Sequence, residues 1–195
     1  IRLSLVGSEM CIRDSNLFRE VVKSYLNIRT NLTEKNVRNL LTVKPDMVTF
    51  VAPGEVSSVA PTSLDLETYA SQLRNYIAEL RSNNILSSIL INPDIQQIKL
   101  AGKLEFDYVE LNSSHLSSVT DMDSEMAILD EIAGFALAAN KIGMGVNISG
   151  DIGYDNIREL SGIDYLEDII VGKPIFNKSL LIGFEQAVRD IITLL

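Results

Sequence analysis

Residues 143–156, GMGVNISGDIGYDN, carry the decisive pattern of this chain. A short apolar run, Met144 to Ile148, passes into Ser149-Gly150-Asp151 and then, beyond Tyr154, into helical sequence. Small and polar residues at a strand's end mark a place where something comes close to the backbone. Strand, tight loop and helix together make one βα unit. How often the chain repeats that unit sets its fold, and what approaches the loop sets its chemistry.

The unit recurs in both directions. Downstream, YDNIRELSGI reads as the helix, EDIIVGK as another strand and LLIGFEQAVRDIITLL as a closing helix. Upstream, SEMAILDEIAGFALAANKIG is a long helix and FDYVELN a strand. PDIQQIKLAGKL is a helix with Pro93 in its first turn, a position that tolerates the missing N–H, and it follows the strand ILSSILIN. LETYASQLRNYIAELRSNN places Tyr69, Leu73, Tyr76, Ile77 and Leu80 on one helical face. DMVTFVAP is a short buried strand. Thr33-Glu34 opens the helix EKNVRNLLT, YLNIRTN is a strand, and SNLFREVVKS is a helix. Two long polar loops, GEVSSVAPTSLD and SSHLSSVTDMD, have the length of lids or binding loops.

Six strands, each followed by a helix, imply a parallel sheet with right-handed crossovers. A doubly wound open sheet and a (β/α)₈ TIM barrel both satisfy that pattern. No strand is followed by G-x-G-x-x-G, which removes support for a dinucleotide-binding open sheet. Polar residues recur at the C-terminal strand ends: Asn27 and Arg29, Asn92, Glu110 and Asn112, Asn147, Gly172 and Lys173. In a barrel that end is the catalytic face. The expectation is an α/β fold, a TIM barrel with about six of its eight βα units present. Residues 14–195 form the single partial barrel domain. Residues 1–13, IRLSLVGSEMCIR, fit neither a clean helix nor a clean strand and are expected to be a non-native or disordered tail.

Composition agrees. At 46% hydrophobic residues the 195-residue chain has material for a real core, and the apolar mass is aliphatic rather than aromatic, as parallel strands under helices require. A net charge of −9 argues against nucleic acid as a partner. Small phosphorylated molecules stay open, because a few local donors hold them. No apolar run reaches the ~18–20 residues of a membrane span. The single cysteine, Cys11, allows no internal disulfide, which fits a reducing, cytoplasmic setting. One histidine, His115, makes no metal site and reads as an exposed loop residue.

Four places carry candidate chemistry. Alternation puts Tyr108, Glu110 and Asn112 on one strand face, so Glu110 points into the barrel mouth as a general acid or base, or as a structural partner of Arg29 or Lys173. Asn27 and Arg29 share a face. Arg29 has the fork geometry to clamp an anion, and it could equally pair with Glu110. Gly172 lets a ligand approach the main chain while Lys173 supplies charge, as in the phosphate sites that follow the last strands of barrels. Asn147 with Gly150 and Asp151 completes the set at the loop quoted first.

Taken together, NLTEKN, KPDMVTFVAP, SLDL, DYVELNSS, GMGVNISGDIGYDNIREL and IIVGKPIFNKSLLIGFEQAV resemble the pyridoxine 5'-phosphate synthase family from about Asp14 to the C-terminus. The resemblance implies a TIM barrel, typically octameric, with no redox cofactor or metal. It implies a transferase of vitamin B6 synthesis that condenses 1-deoxy-D-xylulose 5-phosphate with 3-amino-2-oxopropyl phosphate to pyridoxine 5'-phosphate, inorganic phosphate and water. It implies catalysis by Glu110 and substrate or phosphate contacts from Asn27, Arg29, Asn147, Gly150, Asp151, Gly172 and Lys173. It also implies that strands preceding this chain are absent from it. The match is uneven. Arg29 stands where the family has a glutamate, Asn112 and Ser113-Ser114 replace His and Thr-Gly, Lys173 replaces a His, and Gly150 or Asp151 falls where the family has a histidine. Two other readings remain: a non-catalytic relative that binds a phosphorylated ligand, and a barrel enzyme acting on another phosphorylated sugar.

Overall fold

The computed structural model describes residues 2–6, 12–52, 64–116, 119 and 121–195. Seven strands form one sheet: β1 (Arg2–Val6), β2 (Tyr25–Asn31), β3 (Met47–Val51), β4 (Leu86–Ile91), β5 (Tyr108–Asn112), β6 (Gly145–Ser149) and β7 (Leu166–Ile170). Helices α1 (Ile12–Val21), α2 (Glu34–Val43), α3 (Leu66–Ser82), α4 (Ile95–Lys103), α5 (Met122–Ile142) and α6 (Ile157–Ser161) connect them, and α7 (Lys173–Ile182) and α8 (Phe184–Ile192) follow β7. Every strand pair is parallel, and spatial order equals sequence order. A doubly wound sheet reverses its order at a switch point. This one never does, so its crossovers share one hand and one face.

The strand residues divide by alternation. Leu26, Ile28, Val48, Phe50, Ile89, Ile91, Val109, Leu111, Val146 and Ile148 join one apolar cluster with helix residues such as Leu40, Leu73, Ile77, Leu80, Ile98, Ile132 and Ala136. Their alternates, among them Asn27, Arg29, Thr49, Ser88, Glu110, Asn147 and Ser149, are just as buried but stand apart from that cluster, on the inner face. The sheet therefore has an apolar outside under helices and a polar inside. It also curls. Asn147 Nδ2 on β6 lies 3.9 Å from Met47 Sδ on β3. Those strands are three places apart in the order, about 14 Å across a flat sheet. Two side chains of that length meet only if the sheet bends toward its inner face. The result is a TIM-barrel-type α/β sheet, open between β1 and β7 among the described residues.

Aspartates fasten the N-terminal end of the sheet. Asp46, just before β3, accepts from Leu26 N at 2.8 Å, and Asp107, just before β5, accepts from Ser87 N at 2.8 Å. Each carboxylate occupies a strand-start amide of the preceding strand, at the end of the sheet away from the polar strand ends.

Several local expectations change. The segment set aside as a tail supplies a strand, β1, which pairs with β2 from Arg2↔Tyr25 to Val6↔Arg29, so the sheet has seven strands where sequence counted six. Asp94 caps α4 by accepting from Gln96 N at 2.7 Å, which puts Pro93 before the helix rather than in its first turn. The closing helix is two: α7 starts at Lys173 and the chain breaks at Gly183, with φ +85°, before α8. His115 is half-buried rather than exposed. Most of the first long loop lies outside the described residues.

Candidate active site at the C-terminal strand ends

Glu110 sits at the centre of the inner face and is fully buried. Its Oε1 accepts two hydrogen bonds, one from Arg29 Nη2 on β2 and one from Ser149 Oγ on β6. Among the described residues its Oε2 has no hydrogen-bond partner, nor do Arg29 Nε, Asn147 Oδ1 and Ser88 Oγ, all of them buried. A buried carboxylate is costly unless paired, and the guanidinium supplies that pairing. The anchoring is one-sided: one oxygen is held by a cation and a hydroxyl, and the other is left over.

The remaining expected residues fall around this pair. Asn27 is buried, and its Oδ1 accepts from Thr49 Oγ1 at 3.0 Å. Asn147 is buried beside Glu110 in register, the two being paired across β5 and β6. Arg29 spends Nη2 on Glu110 and presents no exposed fork to an anion. Gly172 and Lys173 are separated from the pair by kind. Both are exposed, Gly172 as the residue before α7 and Lys173 as its first residue. Lys173 is thus helical rather than the last residue of the strand, which ends at Ile170, and it lies at the helix end where backbone N–H groups and the dipole favour anions. Among the described residues no three His, Cys, Asp or Glu side chains gather into a metal-binding group.

Gly150 answers what approaches the loop. It has φ +106°, and a Cβ there would stand 2.4 Å from Asn112 Oδ1 and 2.8 Å from Ser114 N. Ser113 N donates to Ser149 O at 2.7 Å, and Ser113 Oγ donates to Gly150 O at 3.0 Å. Asn112 Oδ1 accepts from Ser114 N at 3.1 Å while its Nδ2 donates to Asn92 Oδ1 at 3.2 Å. The group that comes close is the chain's own turn after β5, so Gly150 welds two strand ends together. Asp151 next to it has φ +46° and an exposed side chain, and its carbonyl accepts from Asn156 Nδ2 at 3.3 Å. Gly145, at the other end of β6, is equally committed: the Tyr108 ring lies where its Cβ would be, at 2.2 Å, and Tyr108 Oη donates to Glu167 at 2.8 Å.

Sequence reasoning read Ser149 only as part of a tight turn and Ser113 only as a substitution within the family pattern, and gave neither a role at Glu110. Alternation contained the signal for Ser149, since it shares a face with Asn147 one strand away from Glu110. Ser113 gave none, because its work lies in a turn.

Similarity to known proteins matches this architecture. A family model described as "Pyridoxal phosphate biosynthesis protein PdxJ" matches residues 9–195. The chain belongs to this family. Curated relatives of the PdxJ chain include the pyridoxine 5'-phosphate synthase of Geotalea daltonii, 32% identical over 182 residues that cover 93% of this chain and 76% of that protein. The pyridoxine 5'-phosphate synthase of Pelobacter propionicus is 32% identical over 183 residues, covering 94% and 77%. Among solved structures, thiamine phosphate pyrophosphorylase from Pyrococcus furiosus superposes with a TM-score of 0.60 at 13% identity, covering 100% of this chain and 84% of that one. KGPDC from Streptococcus mutans does so with a TM-score of 0.64 at 12% identity, covering 98% and 84%. At such identities these two bear on the fold alone, and both are of the TIM-barrel type. A pyridoxal phosphate biosynthesis role is therefore the family's role.

Proposed function

We propose that this PdxJ-family chain is a pyridoxine 5'-phosphate synthase-like enzyme, condensing 1-deoxy-D-xylulose 5-phosphate with 3-amino-2-oxopropyl phosphate and closing the ring. The observation that carries the reading is the one-sided anchoring of Glu110: Oε1 is held by Arg29 and Ser149 while Oε2 has no partner. A carboxylate fixed on one oxygen and free on the other is placed to take a proton from a bound substrate and return it, which is general acid–base work. Asn27 and Asn147 flank it as buried amides that orient a ligand. Lys173 at the start of α7, with exposed Gly172 before it, supplies the anion-holding end. The direct test is incubation of the chain with both substrates and chromatographic detection of pyridoxine 5'-phosphate and released phosphate. Product formation supports the reading, and no turnover by the folded protein overturns it.

One observation favours a second reading, a relative that binds a phosphorylated ligand without turnover. Arg29 stands where the family resemblance places a second carboxylate, and it ties Glu110 into an ion pair. Thermal stabilisation by either phosphorylated substrate, without product, would select it. The cytoplasmic setting and self-association belong to the same proposal. Phe176, Leu180, Leu181 and Phe184 are exposed apolar side chains on α7 and at the start of α8, a surface that a second copy would bury. Among the described residues no helix is long and apolar enough to cross a membrane. Sedimentation velocity, with Leu181→Lys as comparison, tests the association, and a wild-type monomer would refute it.

A further inference from the structure

We infer that Ser149 is a positioning residue for Glu110: with Arg29 it occupies Oε1, and so assigns proton exchange with the ligand to Oε2. The inference rests on the acid–base reading of Glu110 and extends it to a residue that sequence reasoning treated only as part of a tight turn.

The geometry is specific. Ser149 is 2% exposed and faces inward from the last position of β6. An ionised carboxylate has acceptors only, so the hydroxyl must donate to Glu110. The hydroxyl is not free to wander, because its own backbone is fixed. The Ser149 carbonyl accepts from Ser113 N at 2.7 Å and shares the single Ser113 hydroxyl hydrogen, at 3.1 Å, with Gly150 O at 3.0 Å, which ties the end of β6 to the turn after β5. Arg29 approaches the same oxygen from β2, on the other side of the sheet's hollow. Two donors converging on one oxygen fill its acceptor positions, so the oxygen left to meet a ligand is Oε2. Two anchors from different strands also hold the carboxylate plane, where Arg29 alone would allow rotation about the single contact. Proton transfer depends steeply on such orientation.

The test compares wild type with Ser149→Ala, which removes the hydroxyl with little change in volume, and Ser149→Thr, which keeps it. Three readings are taken: thermal unfolding, the kcat and KM of synthase turnover, and the Glu110 side-chain carboxyl resonance in ¹³C-glutamate-labelled protein. That resonance is assigned by its loss in Glu110→Gln. Ser149→Ala is expected to lower kcat about tenfold to a hundredfold, the value of one hydrogen bond to a charged group. KM should change little, the Glu110 resonance should move, and Ser149→Thr should recover both. An unchanged kcat in folded Ser149→Ala overturns the inference, as does a fall in kcat with the Glu110 resonance unmoved. If wild type itself shows no turnover, the synthase reading fails separately. The resonance then still decides whether Ser149 sets the state of Glu110: a shift supports it, and an unmoved resonance refutes it.

Discussion

Arg29 and Glu110 form a buried ion pair across the hollow of the sheet, from β2 to β5. Along the sheet those strands are three places apart, about 14 Å if flat. The pair is thus both the electrostatic centre of the candidate site and a tie that spans the curl. Breaking it on one side should be costly. Arg29→Met leaves a fully buried carboxylate unpaired, and is expected to destabilise the fold by about 3–5 kcal/mol in urea titration. Arg29→Met combined with Glu110→Leu should recover most of that loss, because an apolar pair has no charge to strand. Additive losses in the double variant would refute the coupling.

Gly150→Ala tests the weld between β5 and β6. The new Cβ would meet Asn112 Oδ1 at 2.4 Å, in a backbone conformation with φ +106°. Backbone strain alone is worth about 1–3 kcal/mol. The midpoint of unfolding should fall accordingly, and amide exchange at Ser113 and Ser114 should speed up. A stability equal to wild type would show that the turn after β5 gives way freely.

Lys173→Ala addresses the anion end. Lys173 is exposed and opens α7, so its removal should leave thermal stability nearly unchanged. Affinity for a phosphorylated substrate, read by calorimetry, should fall about tenfold to a hundredfold, the loss of one charge-assisted contact. Equal affinity in the variant would place the phosphate elsewhere.

Acid stability carries a signature at the C-terminus. The hydrogen bond from Lys178, with a second from Gln186, holds the Asp190 carboxyl below its ordinary value of 3.8. The folded state therefore binds its proton later than the unfolded chain. The contribution is fully present above that ordinary value and is lost as pH falls through the lower folded one. Asp190→Asn should lower the melting temperature at pH 6 and leave a smaller difference from wild type at pH 3. The gap should shrink in high salt, since the pair is half-exposed. A gap that widens toward acid would contradict the assignment.

Hydrophobic periodicity was enough to find β2 to β7 and the helices between them. Each element presents one apolar stripe to a neighbour, and alternation is written in the strand itself: YVELN, GVNIS and YLNIRT name their inward residues directly. Glu110, Asn27, Arg29 and Asn147 were legible for that reason. The break at Gly183 and the strand at residues 2–6 were not, because the first depends on how α7 and α8 pack and the second on a pairing partner twenty-odd residues away.

The amino-acid sequence by itself determined the repeated βα unit, the inward set of polar side chains and, through its motifs, the family. Those follow from local periodicity and residue identity. Only the tertiary structure decided which polar groups meet. The sequence of GMGVNISGDIGYDN shows room at Gly150, but only the register between β5 and β6 shows that Asn112 and the turn after it fill that room. It offers an Arg29–Glu110 pair as one alternative among several, and only the curl of the sheet selects that pairing and brings Ser149 to the same oxygen. Long-range contacts of this kind depend on the bend of the whole sheet, a property that no single stretch encodes.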